Sequence, residues 1–382
     1  MERLADYIDR KRDAVKSTLR AFLEEKEREF ASVNEIGGDL CRRLLEFSLG
    51  GKMIRGVLVF LGYEIFAPRI DETEENFLVR RAAASMEILQ SGLLIHDDIM
   101  DRDSSRRGRD TFHVQYGKYL KALSNNVDPA DVSHLANSLA ICAGDVAFFL
   151  SFELLTGDGS WIEGDGRKGL LKRVVKVLFH YSRELSLVGI GQMEDVSLGF
   201  SDKELGIDRV LNLYRYKTSR YTFSLPLIMG AIIAGVDGSI VSVLNGIGEN
   251  LGILFQIRDD ELGLFGDELT LGKPVGSDMR EGKKNLIYVL LKEFIEVGKI
   301  RGEDANRIYS LWGTQGITEE DVLFVREIVK GKGVLERLNE IVNAYSEKVF
   351  DGIETLRGMG EVSSDKVDIL EGFVNFVLKR EK

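Results

Sequence analysis

The sequence predicts an all-α protein, and two observations support that prediction. Apolar residues recur at helical spacing in almost every part of the 382-residue chain. No run alternates between apolar and polar residues between hairpin turns. Only 4 residues are proline, so long uninterrupted helices are possible. Hydrophobic residues make up 44% of the chain, which is enough for a large core and excludes a disordered chain.

The helical periodicity begins at the N-terminus, where Leu4, Ile8, Val15 and Leu19 share a face. Further helices are predicted over residues 75–100, 171–200, 225–236 (a buried core helix starting after Pro226), 240–265, 285–297, 319–330 and 334–357. Two stretches rich in Gly, Asp and Asn, residues 124–133 and 156–169, are predicted to be loops. No linker is long enough to split the chain, so one domain over residues 1–382 is expected.

The charge balance and the cysteine count exclude several classes of protein. Lys plus Arg is 51 and Asp plus Glu is 62, a net charge of −11, which argues against a nucleic-acid binder. Cys41 and Cys142 are too few for a disulfide framework or a thiolate zinc site, which favours a reducing compartment. The first residues lack the apolar core of a signal peptide, and the longest apolar run is shorter than the ~18 residues of a spanning helix. We therefore expect a cytoplasmic protein without a transmembrane segment.

The most informative motif is an acidic cluster at the end of the helix predicted over residues 75–100. Asp97 and Asp101 are four residues apart on one face, and Asp98 lies about 100° round the axis. Like charges at this spacing, at the negative end of the helix dipole, destabilise a helix. The cluster therefore needs a cation, and carboxylates near a phosphate suit Mg²⁺. A solvated acidic helix end would explain this motif equally well if the motif stood alone.

Further charged groups follow along the chain. Arg106 and Arg107 come directly after the acidic cluster, and paired arginines beside a magnesium ion suit a diphosphate. Lys52 and Arg55 are three residues apart behind two glycines, which allow a close backbone approach. The remaining pieces are Gln192 with Asp195, Lys217 with Thr218, Gln256 before the acidic pair Asp259 and Asp260, and the later Lys273 and Lys283.

In order and spacing, these motifs resemble those of the trans-isoprenyl diphosphate synthases, the polyprenyl synthetase family, and in particular its archaeal geranylgeranyl and geranylfarnesyl diphosphate synthases. The motif-bearing core covers about residues 40–290. The sequence DDIMD at 97–101, followed by RRG at 106–108, matches the first aspartate-rich motif of the family. The sequence GGKMIRG at 50–56 is similar to the family's GGKxxRP, with Gly56 in place of proline. The resemblance implies a single helical bundle of the isoprenoid synthase type with a central cavity, in a homodimer.

The resemblance also implies an activity. This is the Mg²⁺-dependent head-to-tail (1′-4) condensation of isopentenyl diphosphate with an allylic diphosphate, which releases diphosphate. The expected product is all-trans geranylgeranyl diphosphate or the longer geranylfarnesyl diphosphate. By resemblance, Asp97 and Asp101 hold two Mg²⁺ ions, and Asp259 holds a third with support from Asp260. Gln192 and Asp195 act through metal-bound water.

The resemblance also implies which cationic groups bind each of the two substrates. By resemblance, the allylic diphosphate is bound by Arg106, Lys217 and Lys273. The diphosphate of isopentenyl diphosphate is bound by Lys52, Arg55, Gln90 and Arg107, and Lys283 closes over the site. Gln90 lies two turns before Asp97 on the same face, so helix geometry allows this role. The dipoles expected beside the allylic carbocation are the carbonyl of Lys217, the hydroxyl of Thr218 and the amide of Gln256.

Product length is expected to depend on the helix that carries Asp97. Family members that stop early tend to carry aromatic residues four or five positions before the first aspartate, where this chain has Leu93 and Gly92. Gly92 is expected to leave the cavity open, so the product should be longer than farnesyl diphosphate. The next candidates for the floor of the cavity lie deeper, at Leu89, Ile88 and Ser85, with Phe148 and Phe149 facing them from a neighbouring helix.

One departure from the family pattern keeps other functions open. The second motif normally reads FQxxDDxxD, but this chain has Gly263 at the last position, with a later Asp267 as a partial substitute. This change is the only feature that supports a non-catalytic partner subunit of a heteromeric synthase, and such subunits usually lose the first motif, which is complete here. A class I terpene cyclase is the other alternative, but it would not need Lys52 and Arg55. The segments at 124–133 and 156–169 exceed the length expected for the family and have no assigned role.

Overall fold

The computed structural model describes residues 2–67, 74–123, 128–157, 168–199, 205–236, 238–266, 275–314, 316–360 and 362–379. These residues are helical almost throughout, which confirms the all-α prediction. The helices are α1 (Glu2–Ala31), α2 (Glu35–Leu49), α3 (Ile54–Glu64), α4 (Glu74–Met100), α5 (Phe112–Leu123), α6 (Pro129–Thr156), α7 (Lys168–Gly199), α8 (Ile207–Tyr214), α9 (Leu225–Ile233), α10 (Gly238–Phe265), α11 (Ser277–Glu281), α12 (Leu286–Glu296), α13 (Glu303–Leu311), α14 (Glu319–Gly331), α15 (Val334–Arg357) and α16 (Ser364–Leu378). A π-helix, Arg215–Ser224, joins α8 to α9.

The chain divides into two compact units. The first unit contains Glu2–Val177 and Met229–Val236, and the second contains Leu178–Ile228 and Asp237–Lys382. Within the first unit, α4 packs along α6 and against α3, while α1 packs against α2. The buried side of α4 is mainly apolar, which stabilises this 27-residue helix, and it also contains the buried polar residues Ser85, Glu87, Gln90, Ser91 and Asp98. The single domain over residues 1–382 stays a prediction.

The second unit is built around α10, which packs against the π-helix, α15 and α16. Two glycines allow the close approach of α10 to the π-helix. A Cβ added at Gly252 would lie 2.3 Å from the Cα of Ser219, and one added at Gly248 would lie 2.4 Å from the Cα of Ser224. No side chain fits at those distances, so the two backbones are in direct contact.

The sequence predictions were wrong at three places. The buried helix predicted to start after Pro226 begins at Leu225 and continues directly from the π-helix. Residues 129–133, predicted to be part of a loop, belong to α6, which the Asp128 side chain caps by accepting the N–H of Ala130. A small hairpin also occurs, with β1 (Ser105–Arg106) paired antiparallel to β2 (Arg109–Asp110).

Two helices, α6 and α10, are long and apolar enough to cross a membrane by length and composition alone. About half of the most apolar stretch of each is buried inside the protein, 44% for α6 and 50% for α10. Core helices of globular proteins satisfy the same criteria, so these two helices are weak support for a membrane location.

The other parts of the predicted loops, residues 124–127 and 158–167, lie outside the described residues.

Candidate active site

The first acidic cluster lies at the end of α4, as predicted, with Asp97 and Asp98 in its last turn and Asp101 directly after it. The N–H of Asp101 donates to the carbonyl of Asp97 at 2.8 Å, so the two residues are one intact helical turn apart. The Asp97 side chain is 25% exposed, whereas the Asp98 side chain is fully buried. The cluster therefore combines accessible carboxylates, at Asp97 and Asp101, with a buried one that the protein must neutralise.

Arg106 supplies that neutralising charge. Its Nε donates to Oδ1 of Asp98, and its Nη2 lies 3.4 Å from Oδ2 of Asp103 and 3.6 Å from Oδ2 of Asp97. Burial raises the pKa of Asp98 to about 6, and the guanidinium of Arg106 opposes that rise. The β1–β2 turn holds Arg106 in place, with positive φ at Arg107 (55°) and Gly108 (71°), as a tight hairpin requires.

The basic loop before α3 lies close to Arg107 within the first unit. A guanidinium nitrogen of Arg107 donates to the carbonyl of Phe47 at 3.0 Å. A Cβ added at Gly51 would lie 3.2 Å from Nη2 of Arg107, so glycine leaves room for this side chain. Met53, with φ of 55°, turns the chain into α3 and leaves Lys52 exposed. The predicted cationic residues Lys52 and Arg107 therefore belong to neighbouring segments of one surface.

Glu87 is a residue of this region that the motifs did not reveal. Its Oε1 accepts the N–H of Gly56 at 2.8 Å in the first turn of α3. Burial raises the pKa of Glu87, and the charge of Arg55 opposes that rise. Proline at position 56 would have no N–H to donate to Glu87, whereas Gly56 supplies one. A single charged residue, Glu87, within an otherwise uncharged stretch of α4 was the available sequence signal.

Gln90 also lies in this part of the first unit, one turn after Glu87 on α4. Its side chain is 8% exposed. Its Oε1 is buried and accepts no hydrogen bond from the residues that the structure describes. A buried amide oxygen without a donor is costly in a protein interior. This favours a role for Gln90 in contact with a ligand over a purely structural one.

The second acidic pair lies on α10, and its two members differ in environment. Asp259 is partly exposed, whereas Asp260 is 4% exposed. Both oxygens of Asp260 accept hydrogen bonds, Oδ2 from the hydroxyl of Tyr214 and Oδ1 from Nε2 of Gln256 at 3.2 Å. Burial raises the pKa of Asp260 well above its ordinary value. Both oxygens of the Asp260 carboxylate are thus hydrogen-bonded by the protein, and its support of a metal ion at Asp259 stays a prediction.

The hydrogen bonds of this second site form a continuous network. The hydroxyl of Thr218 donates to Oε1 of Gln256 at 3.0 Å, which orients the Gln256 amide toward Asp260. Tyr214, in turn, accepts the backbone N–H of Leu286 at 2.7 Å. Tyr214 was missed by the sequence analysis, because nothing in its spacing separates it from a core tyrosine.

Lys217 and Asp195 form an ion pair between the π-helix and α7. The contact is possible because a Cβ added at Gly191 would lie only 3.0 Å from the backbone nitrogen of Lys217. Gln192 is partly exposed on the same helix as Asp195. The structure thus brings together two predicted residues, and Lys217 is held in place by a carboxylate, as Arg106 is in the first unit.

Comparison with known proteins identifies the family. The family model for polyprenyl synthetases matches residues 39–299. The chain belongs to the polyprenyl synthetase family. It is 30% identical to a geranylgeranyl diphosphate synthase of Sulfolobus acidocaldarius over 88% of this chain and 89% of that one. It is 29% identical to a geranylfarnesyl diphosphate synthase of Aeropyrum pernix over 87% of this chain and 91% of that one.

A solved structure supports the same conclusion. The chain superimposes on a geranylgeranyl pyrophosphate synthase of Corynebacterium glutamicum, solved with isoprenyl diphosphate and magnesium, with a TM-score of 0.85. The identity is 29%, and the match covers 98% of this chain and 99% of that one. This polyprenyl synthetase is therefore a prenyltransferase. It condenses isopentenyl diphosphate with an allylic diphosphate head to tail and releases diphosphate.

The donor groups fit magnesium that is bound together with a substrate. In the described part of the chain, no three His, Cys, Asp or Glu side chains are grouped closely enough to hold a metal ion by themselves. Mg²⁺ is usually held by one or two carboxylates together with substrate phosphates, and it keeps several water molecules. Pairs of accessible carboxylates such as Asp97 and Asp101, beside a well-held arginine, suit that mode of binding.

The remaining predicted residues fall into three groups. Lys283 lies after α11, where its Nζ is 2.7 Å from Oε2 of Glu281. Lys273 and Asp267 lie outside the described residues. The deeper chain-length candidates are buried within the first unit, Ser85 and Ile88 at 0% exposure and Leu89 at 1%, whereas Leu93 is partly exposed.

Gly92 was expected to leave the cavity open, but the structure packs it against a neighbouring helix. A Cβ added at Gly92 would lie 2.8 Å from the ring of Phe148 and 3.1 Å from the carbonyl of Gly144, both on α6. Gly92 therefore serves the close packing of α4 on α6 and does not face open space. Phe148 lies against this glycine, and Phe149 points outward with 75% exposure.

Proposed function

We propose that the product has twenty or twenty-five carbons, that is, geranylgeranyl or geranylfarnesyl diphosphate. The residue that supports this length is Leu93, which is aliphatic and partly exposed one turn before Asp97 on α4. An aromatic residue there would shorten the space available to the growing chain. The two relatives named above carry these two products in their names, which agrees with the proposal.

The metal ions are bound by two sets of carboxylates, one at the end of α4 and one on α10. Asp97 and Asp101 hold two ions, Asp259 holds a third, and Gln192 and Asp195 act through water on those ions. Three bound Mg²⁺ ions would act as Lewis acids on the diphosphate that leaves the allylic substrate. Asp98 takes no direct part in metal binding, because it is buried and bound to Arg106; it positions that arginine.

The cationic groups bind the two diphosphates. Arg106, Lys217 and Lys273 bind the allylic diphosphate, while Lys52, Arg55, Gln90 and Arg107 bind that of isopentenyl diphosphate, and Lys283 closes over the site. Arg106 and Lys217 each lie within an ion pair, so their positions are set before substrate arrives. Such pre-organisation lowers the cost of binding and of charge stabilisation.

The π-helix and α10 supply the groups beside the reacting carbon. The carbonyl of Lys217, the hydroxyl of Thr218 and the amide of Gln256 stabilise the positive charge that forms when the allylic C–O bond breaks. The Thr218–Gln256 hydrogen bond, with Asp260 behind Gln256, fixes these dipoles. The double bond of isopentenyl diphosphate then attacks the cation, and the departed diphosphate accepts the proton that is lost.

Exposed apolar residues suit a homodimer. Within the first unit, α6 exposes Leu135 (45%), Ile141 (46%) and Phe149 (75%). Leu135, the exposed Cys142 and Phe149 are seven residues apart, so these three side chains form one stripe along the helix, and Ile141 lies to one side of it. An exposed apolar stripe of this kind is typical of a surface covered by another subunit. A cytoplasmic location and a single domain over residues 1–382 complete the proposal.

The experiment that tests the proposed product is chain-length analysis with Mg²⁺ and labelled isopentenyl diphosphate. Dimethylallyl, geranyl and farnesyl diphosphates are supplied separately, and products are sized by chromatography after dephosphorylation. Products of twenty or twenty-five carbons support the proposal. A product that stops at fifteen carbons with every primer contradicts the proposed length.

A further inference from the structure

The second acidic motif of this chain lacks its third carboxylate. Position 263 of α10 is glycine, and it lies one helical turn after Asp259 on the same face. A side chain at position 263 would therefore point in the same direction as Asp259. Asp260 does not compensate for the missing group, because the protein already occupies both of its oxygens.

Another carboxylate lies at the face of Gly263. A Cβ added at Gly263 would be 3.4 Å from Oδ2 of Asp278 and 3.9 Å from its Cγ. Asp278 belongs to the short helix α11 and is fifteen positions further along the chain. A carboxylate thus lies in van der Waals reach of the position from which the third aspartate of the motif would project.

The position of Asp278 is set by the segment that carries it. The N–H of Gly276 donates to the carbonyl of Gly263 at 3.1 Å, which ties the start of α11 to α10. Gly276 has φ of 77°, and an added Cβ would lie 2.7 Å from Cγ2 of Val322, so the turn requires glycine. The contact between Gly263 and Asp278 therefore follows from backbone geometry and not from one flexible side chain.

Asn285 orients the carboxylate itself. Its Nδ2 donates to Oδ2 of Asp278 at 3.1 Å, while its Oδ1 accepts the N–H of Tyr288 and caps α12. Because the cap fixes the Asn285 amide, it also fixes the direction of the donor that faces Asp278. The same crevice is lined by Asp260, Gly263, Asp278 and Asn285.

We propose that Asp278 supplies the third carboxylate of the second acidic set, in place of the aspartate absent from position 263. Asp278 accepts hydrogen bonds from water molecules of the Mg²⁺ ion that Asp259 holds. It is a positioning residue, since it acts on the ion through water. The inference rests on the proposed function, because it takes Asp259 to be a metal ligand. Mg²⁺ retains several waters, and outer carboxylates that bind them commonly change metal affinity 10- to 100-fold.

The test is metal binding by the Asp278→Asn variant of the full chain. Asparagine keeps the size of the side chain and an oxygen that accepts from Asn285, so the substitution removes mainly the charge. Mn²⁺ is titrated in the presence of inorganic diphosphate and followed by electron paramagnetic resonance. We expect one class of bound Mn²⁺ to weaken by about 10-fold or more. The matched control is Asp351→Asn, at an exposed position on α15, which should bind as the unchanged protein does.

A second variant separates a role in metal binding from a merely structural one. Gly263→Asp, added to Asp278→Asn, returns a carboxylate to the same place from α10, where a Cβ has room. We expect it to restore Mn²⁺ affinity to within about 3-fold of the unchanged protein, because a carboxylate is again available to the waters of the ion. If Asp278→Asn does not unfold cooperatively, Asp278→Ser is titrated in its place.

The outcomes distinguish failure of the inference about Asp278 from failure of the proposed function. Equal Mn²⁺ affinity in the unchanged protein and a folded Asp278→Asn variant overturns the inference about Asp278 alone. A weakened variant that Gly263→Asp does not rescue also overturns it, since the loss is then structural. If the unchanged protein binds no Mn²⁺ with diphosphate and incorporates no isopentenyl diphosphate, the proposed function itself fails.

Discussion

The hydroxyl of Tyr214 donates a hydrogen bond to the buried carboxylate of Asp260. The same hydroxyl accepts the backbone N–H of Leu286 at 2.7 Å, so one side chain joins the end of α8, the C-terminal part of α10 and the start of α12. Asp260 is adjacent to Asp259 on α10, and Asp278 lies against Gly263 one turn further on. Tyr214 thereby holds the backbone on which the proposed second metal site depends.

Tyr214→Phe should weaken both folding and the second acidic set. The substitution leaves the carboxylate of Asp260 and the N–H of Leu286 without their partner, at a cost of about 1–3 kcal/mol in the free energy of unfolding. Chemical denaturation measures that cost, and the Mg²⁺ dependence of the reaction rate measures the effect on the site. Tyr309→Phe, at a position 44% exposed on α13, is the control. A Tyr214→Phe protein with unchanged stability would contradict this role.

Arg106→Lys should raise the KM for the allylic diphosphate by about 10-fold or more. Lysine keeps the charge but loses the planar fork that contacts Asp97, Asp98 and Asp103 together. Steady-state rates at varied allylic diphosphate, with isopentenyl diphosphate saturating, provide the measurement. Arg109→Lys is the control, because the Arg109 side chain in the same hairpin is 67% exposed. If both substitutions have equal effects, Arg106 is not specifically placed for the substrate.

Leu93→Phe should shorten the product, whereas Gly92→Ala should mainly lower stability. Leu93 is partly exposed one turn before Asp97, so a larger side chain there reduces the space for the chain. Gly92 is packed against Phe148, and even one methyl group would overlap that ring, at about 1–3 kcal/mol. Product chromatography and thermal unfolding are compared for the two variants. Shortening by Gly92→Ala, with unchanged product from Leu93→Phe, would reverse the assignment.

Phe149→Glu should convert the proposed homodimer into monomers. Phe149 is 75% exposed on α6, so the substitution costs nothing in the core of one chain but places a charge in the proposed interface. Sedimentation velocity over a range of protein concentrations detects the change. Lys121→Glu, on the neighbouring helix α5, introduces the same residue at an exposed charged position as a control. A protein that is monomeric before any substitution would contradict the proposed dimer.

Cys41 should resist alkylation in the folded chain. Burial raises the pKa of its thiol to about 11, helped by the negative charge of Glu27. The protonated form is thus favoured up to that pH, so at pH 8 about one thiol in a thousand is the reactive thiolate. Iodoacetamide labelling of a Cys142→Ala protein, native and in denaturant, is read by mass spectrometry. Rapid native labelling at pH 8 would show that α2 opens readily.

Much of the fold could be predicted because its helices carry their own boundaries. The helix predicted over residues 334–357 coincides with α15, since Gly333 and Gly358 flank it and its apolar residues keep one period throughout. The acidic motif on α4 was also located correctly, because four-residue spacing fixes a shared helical face.

Features that depend on tertiary contacts could not be predicted in the same way. The family resemblance pointed to Gly92, five positions before Asp97, but could not show that Phe148 of α6 occupies the space beside it. The relation of Asp278 to Gly263 depends on the turn at Gly276, which brings together positions fifteen residues apart. Similarly, the burial of Asp260 follows from Tyr214, 46 residues earlier in the chain.

The most direct test of the account is incorporation of labelled isopentenyl diphosphate by the unchanged protein, beside Asp97→Ala and Asp259→Ala. The measurement uses farnesyl diphosphate as primer and Mg²⁺ as the only divalent ion. The account predicts a product of at least twenty carbons from the unchanged protein and a loss of rate of about 100-fold or more in each variant. No incorporation by the folded, unchanged protein would contradict the account, and would favour a partner subunit whose second motif is disabled at Gly263.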